Sequence, residues 1–249
     1  MPARAVAVTG FKNSGKTRVV EALTAELTKR GYKVGTIKHT ADTVTLDSPG
    51  KDTERHRKAG SRATAILQDE AAAIFLDKHL ALQEAAQKLD PLDFLVIEGF
   101  KTVNTHARII VPRDNTELDK LMNGLEIAIV NLPESSFHKD TEIPQLTLDK
   151  VEELADIVVS NAFPLLPGLD CHSCGYPDCK SMGAALLVGE AKITQCIGYG
   201  SGFKLKVNDI DVPLNNFTRT AMQNVILGFI KTLKGGEEAK KVELEFEED

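Results

Sequence analysis

Eight residues near the amino terminus, Gly10-Phe-Lys-Asn-Ser-Gly15-Lys16-Thr17, spell a complete G-x-x-x-x-G-K-T loop. Its glycines allow a tight turn whose backbone N–H groups wrap a polyphosphate, with Gly10, Lys12, Asn13, Ser14 and Gly15 lining the cradle. Lys16 reaches the terminal phosphates in such a loop, and the Thr17 hydroxyl ligates Mg²⁺. An ordinary glycine-rich turn is the plain alternative. The setting argues against it, because residues 3–9 read as a short strand and residues 16–30 carry helical apolar spacing. These residues imply binding of a nucleoside triphosphate.

Such a loop needs a carboxylate at the end of a buried strand, to hold Mg²⁺ or its water shell. Phe94-Leu-Val-Ile97-Glu98-Gly99 supplies one, with four apolar residues leading into Glu98. Gly99 lets the backbone turn close to the phosphates. A second acidic candidate is the polar loop Asp47-Ser-Pro-Gly-Lys51-Asp52-Thr-Glu-Arg55. There Asp47 or Asp52 can approach Mg²⁺ or orient the attacking water, and Lys51 and Arg55 can approach phosphate. The same composition describes a surface turn, with Asp52 and Thr53 capping the next helix. His39, after Lys38 at a strand end, is either a phosphate contact, an acid–base group or a satisfied strand-end histidine. His56, His79, His106 and His138 read as solvated.

The elements that position these groups alternate. Strand patterns at 33–39, 93–97, 108–111 and 127–131 are interleaved with helical stretches near 53–59 and 80–89, and residues 148–161 close the series. This predicts an α/β, mainly parallel sheet with helices on both faces, with nucleotide outside the carboxyl ends of its strands. Pro164-Leu-Leu-Pro167-Gly168 marks a boundary. Three parts are expected: a nucleotide-binding domain over 1–163, a four-cysteine module over 164–202 and a small α+β tail over 203–249. In the tail, residues 203–207 and 212–214 flank a turn and predict a hairpin. Asn216 is placed to cap a helix over 217–233, whose stripe of Phe217, Val225, Phe229 and Leu233 reads as core. Residues 241–247 alternate like a strand returning to the hairpin.

The chain has 249 residues and a net charge of −6, which argues against a general nucleic-acid binder. It holds no apolar run of bilayer length, and its amino-terminal residues lead into the first strand without a signal peptide's apolar core. A soluble, cytoplasmic protein is expected.

The four cysteines follow the spacing Cys171-x₂-Cys174-x₄-Cys179-x₁₆-Cys196. Four thiolates can close a tetrahedral zinc site or hold a [4Fe–4S] cluster. Zinc ribbons present two C-x₂-C knuckles, and here only the first pair fits. Small residues such as Gly175, Gly183 and Ala184 let the backbone wrap a bulkier cube. Zinc and disulfides stay open as alternatives, and His172 and Asp178 read as supporting or solvated groups.

The segments GFKNSGKT, TIKHTAD, DSPGKDTERHRKAGS and VIEGFK occur in order and at a spacing that resembles the molybdopterin-guanine dinucleotide biosynthesis protein B (MobB) family, over roughly residues 3–160. The resemblance implies a P-loop α/β fold, a homodimer, Mg²⁺-dependent GTP binding and slow GTP hydrolysis. It also implies assistance to a partner guanylyltransferase that joins GMP to molybdopterin. On these positions it implies that Gly15, Lys16 and Thr17 hold phosphates and Mg²⁺, while Asp47, Lys51, Asp52 and Glu98 line the site. Asn131 ends a strand where a base-contacting loop can lie, but the N-K-x-D pattern of regulatory GTPases is absent. Residues 169–200 resemble the four-cysteine domain of corrinoid iron–sulfur proteins and some electron-transport subunits. That likeness implies a [4Fe–4S] cluster of redox or structural role. The expectation is a slow GTPase of molybdenum- or tungsten-cofactor maturation with an iron–sulfur module. The rivals are an ATP-dependent electron-transfer or metallocentre-insertion protein, and an adaptor that binds nucleotide only to recruit a cofactor enzyme.

Overall fold

The computed structural model describes all residues except 1, 41, 43, 90, 136–139, 200–202, 204, 209, 213, 215, 239–241 and 245–249. Its elements run β1 (Arg4–Thr9), α1 (Lys16–Lys29), β2 (Val34–Lys38), α2 (Asp52–Lys58), β3 (Ala63–Leu67), β4 (Ala72–Leu76) and α3 (Leu82–Leu89). They continue with β5 (Phe94–Glu98), β6 (Ala107–Ile110), α4 (Asn115–Leu121), β7 (Glu126–Asn131), β8 (Gln145–Thr147), α5 (Val151–Asn161) and β9 (Phe163–Pro164). After these come α6 (Cys179–Leu187), β10 (Lys206–Val207), β11 (Ile210–Asp211) and α7 (Asn216–Ile230). The main sheet has the order β2-β5-β1-β6-β7-β8, with every neighbouring pair parallel. β9 joins it antiparallel, pairing with Arg4 and Ala5 at the start of β1.

A parallel strand is covered on both faces, so its sequence is apolar almost throughout. β1 follows that rule. Val6 and Val8 point to the layer formed by Val19, Leu23 and Leu27 of α1 and Leu154 and Val158 of α5. Ala5 and Ala7 face Leu82 of α3 on the other side. α4 covers the same sheet through Leu118 and Leu121, packed on Ile110 and Ile129. Each such side chain contributes about 1.5–3 kcal/mol when fully buried. Helices on both faces, as the alternation predicts, are what the chain forms.

The cysteine segment is stitched to the amino ends of the strands. Leu166, Met182, Ala185 and Cys196 belong to the same core cluster as Val6 and Leu23. The Leu166 N–H donates to the Thr105 carbonyl at 2.8 Å, just before β6. Gly183 lets α6 lie close to the sheet: a Cβ there would stand 2.9 Å from Leu125 Cδ2 and 3.2 Å from Phe163 Cζ.

Several expectations need correction. His106 is fully buried, not solvated, because the buried strand environment begins before residue 108; Arg108 is buried beside it. The α7 stripe is not core: Phe217, Val225, Phe229 and Leu233 are 83%, 59%, 72% and 58% exposed. Helical periodicity locates an apolar face but not what covers it. Asn216 opens α7 instead of preceding it, and the hairpin closes on Lys206–Val207 with Ile210–Asp211. The strand expected at 241–247 lies outside the described residues except at 242–244, which are not in a strand. His138 also lies outside them. The antiparallel pair β3–β4 was not anticipated. Its Ile66, Leu67 and Ile74 are exposed, so no buried face marks its residues with a period of two.

Candidate nucleotide site and cysteine centre

Residues 10–15 bridge the end of β1 and the start of α1. Gly15 has φ +84°, and a Cβ there would lie 2.1 Å from Leu132 Cδ1. At Gly10 a Cβ would meet Ser14 Oγ at 2.3 Å and the Val111 carbonyl at 2.6 Å. Conformation demands glycine at the first position and space demands it at both. The Ser14 N–H donates to the Phe11 carbonyl at 3.2 Å. Its hydroxyl is buried without a partner. Buried polar groups ordinarily find partners, so this orphan suits a loop built to take phosphate oxygens.

Lys16 folds back across the loop, its Nζ donating to the Phe11 carbonyl at 2.6 Å. Burial is the largest influence on its pKa and lowers it; Glu98 opposes this, while Lys101 and Lys38 reinforce it. No acidic residue stands in the first turn of α1, so the positive end of its dipole faces the loop uncancelled.

Sheet register brings the carboxylate in. Glu98 pairs with Val8 of β1 on one side and Lys38 of β2 on the other. The Thr17 hydroxyl reaches both Glu98 carboxylate oxygens at 3.1 Å, and Lys38 Nζ lies 3.0 Å from Oε1. A hydroxyl and a carboxylate this close, at the mouth of a phosphate loop, fit the oxygen-ligand chemistry of Mg²⁺.

The remaining predicted residues are more scattered. Lys12 pairs with Asp42 at 2.9 Å in solvent, and Asn13 adopts φ 63°. Asp47 accepts from the Ser48 N–H at 2.8 Å and lies 3.9 Å from Arg57. Lys51 precedes α2, and Asp52 opens it, 3.5 Å from Arg55. Among the described residues no hydrogen bond or ion pair joins Asp47, Lys51 or Asp52 to residues 10–17. The His39 ring lies against Phe100 with centroids 4.5 Å apart. Asn131 Oδ1 is buried and unpartnered at the end of β7, next to the Leu132 that abuts Gly15. Sequence reasoning missed two basic groups: Lys38 as the partner of Glu98, and Lys101, whose Nζ sits 4.2 Å from the Phe11 ring centroid. Their advance signal was a lysine at the end of β2 and another shortly beyond the end of β5.

The four thiols line one pocket with Leu166, Met182 and Ile197. None is in a disulfide, and Cys196 is the buried one. Burial raises the Cys179 pKa, against backbone N–H groups of Asp170, Gly168 and Leu169 that favour its thiolate. Cys196 is likewise raised by burial, opposed by the Gly198 N–H and reinforced by the other three thiols. Thiols partly or wholly withdrawn from water, with amides aimed at their sulfurs, suit a bound cationic centre, which would complete the ionisation that burial resists. Asp178 caps α6 by accepting from the Ser181 N–H at 2.6 Å, and Asp170 accepts from Cys179 N at 2.7 Å. These contacts hold Cys179 at the head of the helix.

Known proteins carry both halves of this arrangement. The family described as "Molybdopterin guanine dinucleotide synthesis protein B" matches residues 5–132, which span the loop, the Glu98 strand and the end of β7. The chain belongs to the MobB family. A second family, described as "Putative Fe-S cluster", matches residues 166–197 and so contains the four cysteines. A Methanocaldococcus jannaschii protein named "Putative molybdopterin-guanine dinucleotide biosynthesis adapter protein" is 27% identical, across 98% of this chain and 97% of its own. The Escherichia coli "Molybdopterin-guanine dinucleotide biosynthesis adapter protein" is 31% identical over 62% of this chain and 90% of its own. The crystal structure of Bacillus subtilis MobB superposes with a TM-score of 0.53 at 25% identity, covering 64% of this chain and 98% of that one. The bacterial MobB fold is thus matched almost whole, and the rest of this chain lies beyond it. Among the described residues no helix is long and apolar enough to cross a membrane.

Proposed function

We propose that this chain acts in molybdenum- or tungsten-cofactor biosynthesis as a Mg²⁺-dependent GTP-binding protein with slow GTPase activity, and that its cysteine module holds a [4Fe–4S] cluster. The observation that carries the first part is the contact of Thr17 with Glu98 at the mouth of a loop whose Ser14 hydroxyl is orphaned. Loop amides and the Lys16 ammonium take up the charge that develops as water attacks the γ-phosphate. Thr17 and Glu98 hold Mg²⁺, which when bound neutralises charge on the phosphate oxygens. Asp47, Lys51 and Asp52 complete the site from the loop that leads into α2. Asn131, whose Oδ1 is buried without a hydrogen-bond partner, is the candidate contact to guanine. The cations that act most strongly on Lys16 are Lys101 and Lys38, in keeping with slow turnover.

The partner is a molybdenum-cofactor guanylyltransferase, with molybdopterin as its substrate, and the protein works in the cytoplasm as a homodimer. The names of its relatives support the first of these. They also favour the adaptor reading, in which nucleotide binding serves recruitment. Gating of the cluster by hydrolysis is less well supported, because the cysteines pack at the amino ends of strands whose carboxyl ends carry the loop.

The match of residues 166–197 to an iron–sulfur family supports the cluster. So does the gathering of all four thiols around one pocket. Anaerobically purified protein should be brown, with broad absorption near about 400 nm; a colourless, zinc-loaded product would rule the cluster out. Titration of GTP against ATP tests the base. Guanylyltransferase assays with and without this chain separate enzyme assistance from a bystander role: no gain in product would count against it.

A further inference from the structure

Three lysines from separate elements approach the phosphate loop: Lys16 at the head of α1, Lys38 at the end of β2, and Lys101 beyond β5. The first is engaged by the Phe11 carbonyl and the second by Glu98. Lys101 is exposed, and among the described residues it has no carboxylate partner; its ammonium rests on the face of Phe11. The backbone that delivers it is unusual. Gly99 and Phe100 are successive left-handed residues, at φ 100° and 51°. For a bulky aromatic this is a true outlier, and such strain persists where the surroundings over-determine it, often at functional sites. Here the His39 carbonyl crowds Gly99, with a Cβ there only 3.1 Å away, and the His39 ring braces Phe100. The turn reverses the chain directly after Glu98 and brings Lys101 back over the loop.

We propose that Lys101 is a second phosphate-binding cation, supplied in cis to the terminal phosphate of a nucleoside triphosphate and parked on Phe11 when the loop is empty. An exposed cation–π contact is weak, and a charge-assisted bond to a phosphate oxygen outcompetes it. This rests on the nucleotide reading above and adds the residue that distinguishes tri- from diphosphate.

Calorimetry on the full chain with Mg²⁺, using guanosine 5′-(β,γ-imido)triphosphate and GDP as probes, tests it. Lys101→Gln should bind the triphosphate about tenfold more weakly while GDP affinity stays within about twofold, and Lys101→Arg should retain most of the affinity. Lys101 is solvent-exposed, and a thermal melt checks that the variant folds. An equal loss for both nucleotides, or none for the triphosphate, overturns the assignment while leaving the nucleotide site intact. Wild-type protein that takes up neither probe overturns the site itself.

Discussion

At the level of single residues, His106 stands just before β6, fully buried beside the buried Arg108. Burial, with a smaller push from Arg108, lowers its pKa from 6.5 to about 3. The folded chain therefore keeps the ring neutral at pH values where the unfolded chain takes up a proton. The stability this group contributes is intact above its ordinary pKa of 6.5 and drains away as pH falls toward about 3. The slope reaches about 1.4 kcal/mol for each pH unit. Urea midpoints of wild type and His106→Gln, compared from about pH 7 down to about pH 5, should diverge in slope, the variant's being flatter. Parallel slopes would contradict the buried neutral imidazole. The burial of His106 was not legible, because a histidine just outside a short apolar run gives no sign that its neighbours close over it. Gly10, Gly15, Lys16 and Thr17 were legible as candidates from the loop itself, and Glu98 from the strand that leads into it. Lys38 and Lys101 were not, because their approach to the loop depends on strand register and on the left-handed turn at Gly99 and Phe100.

Among the elements, those with continuous apolar runs were legible: β1, β2, β5, β6 and β7 were found to within a residue or two at each end. The elements that escaped have no buried stripe of their own. β3 and β4 lie off the main sheet with exposed apolar residues, and β8 and β9 are only three and two residues long. The docking of α6 was not legible in the sequence. Gly183 sets the distance between α6 and the sheet, with Leu125 and Phe163 against it. Gly183→Val should overpack this seam and cost about 1–3 kcal/mol. A chemical-denaturation midpoint matching the wild type would show that α6 does not sit where described.

For the whole molecule, the phosphate loop and the four cysteines, the two candidate centres, occupy opposite ends of one sheet and share one hydrophobic core. The linear order of the chain shows two motifs but not this geometry, which arises from β9 pairing with the first residues of β1. Sites so separated couple weakly in their energetics, while a common core makes them stand or fall together in stability. Cys196→Ser, which removes a buried ligand candidate from that core, should lower the melting temperature of the metal-loaded protein. GTP affinity of the still-folded variant should stay within about twofold. A large loss of GTP binding with unchanged melting would reverse that picture.

The measurement that bears most directly on the central claim is calorimetric titration of GTP and ATP into the intact chain in the presence of Mg²⁺, beside the Lys16→Ala variant. A single saturable site is expected for the wild type, lost in Lys16→Ala without a change in its melting temperature. Absence of binding by the wild type, or equal binding by both proteins, would contradict the nucleotide site built on residues 10–17 and Glu98.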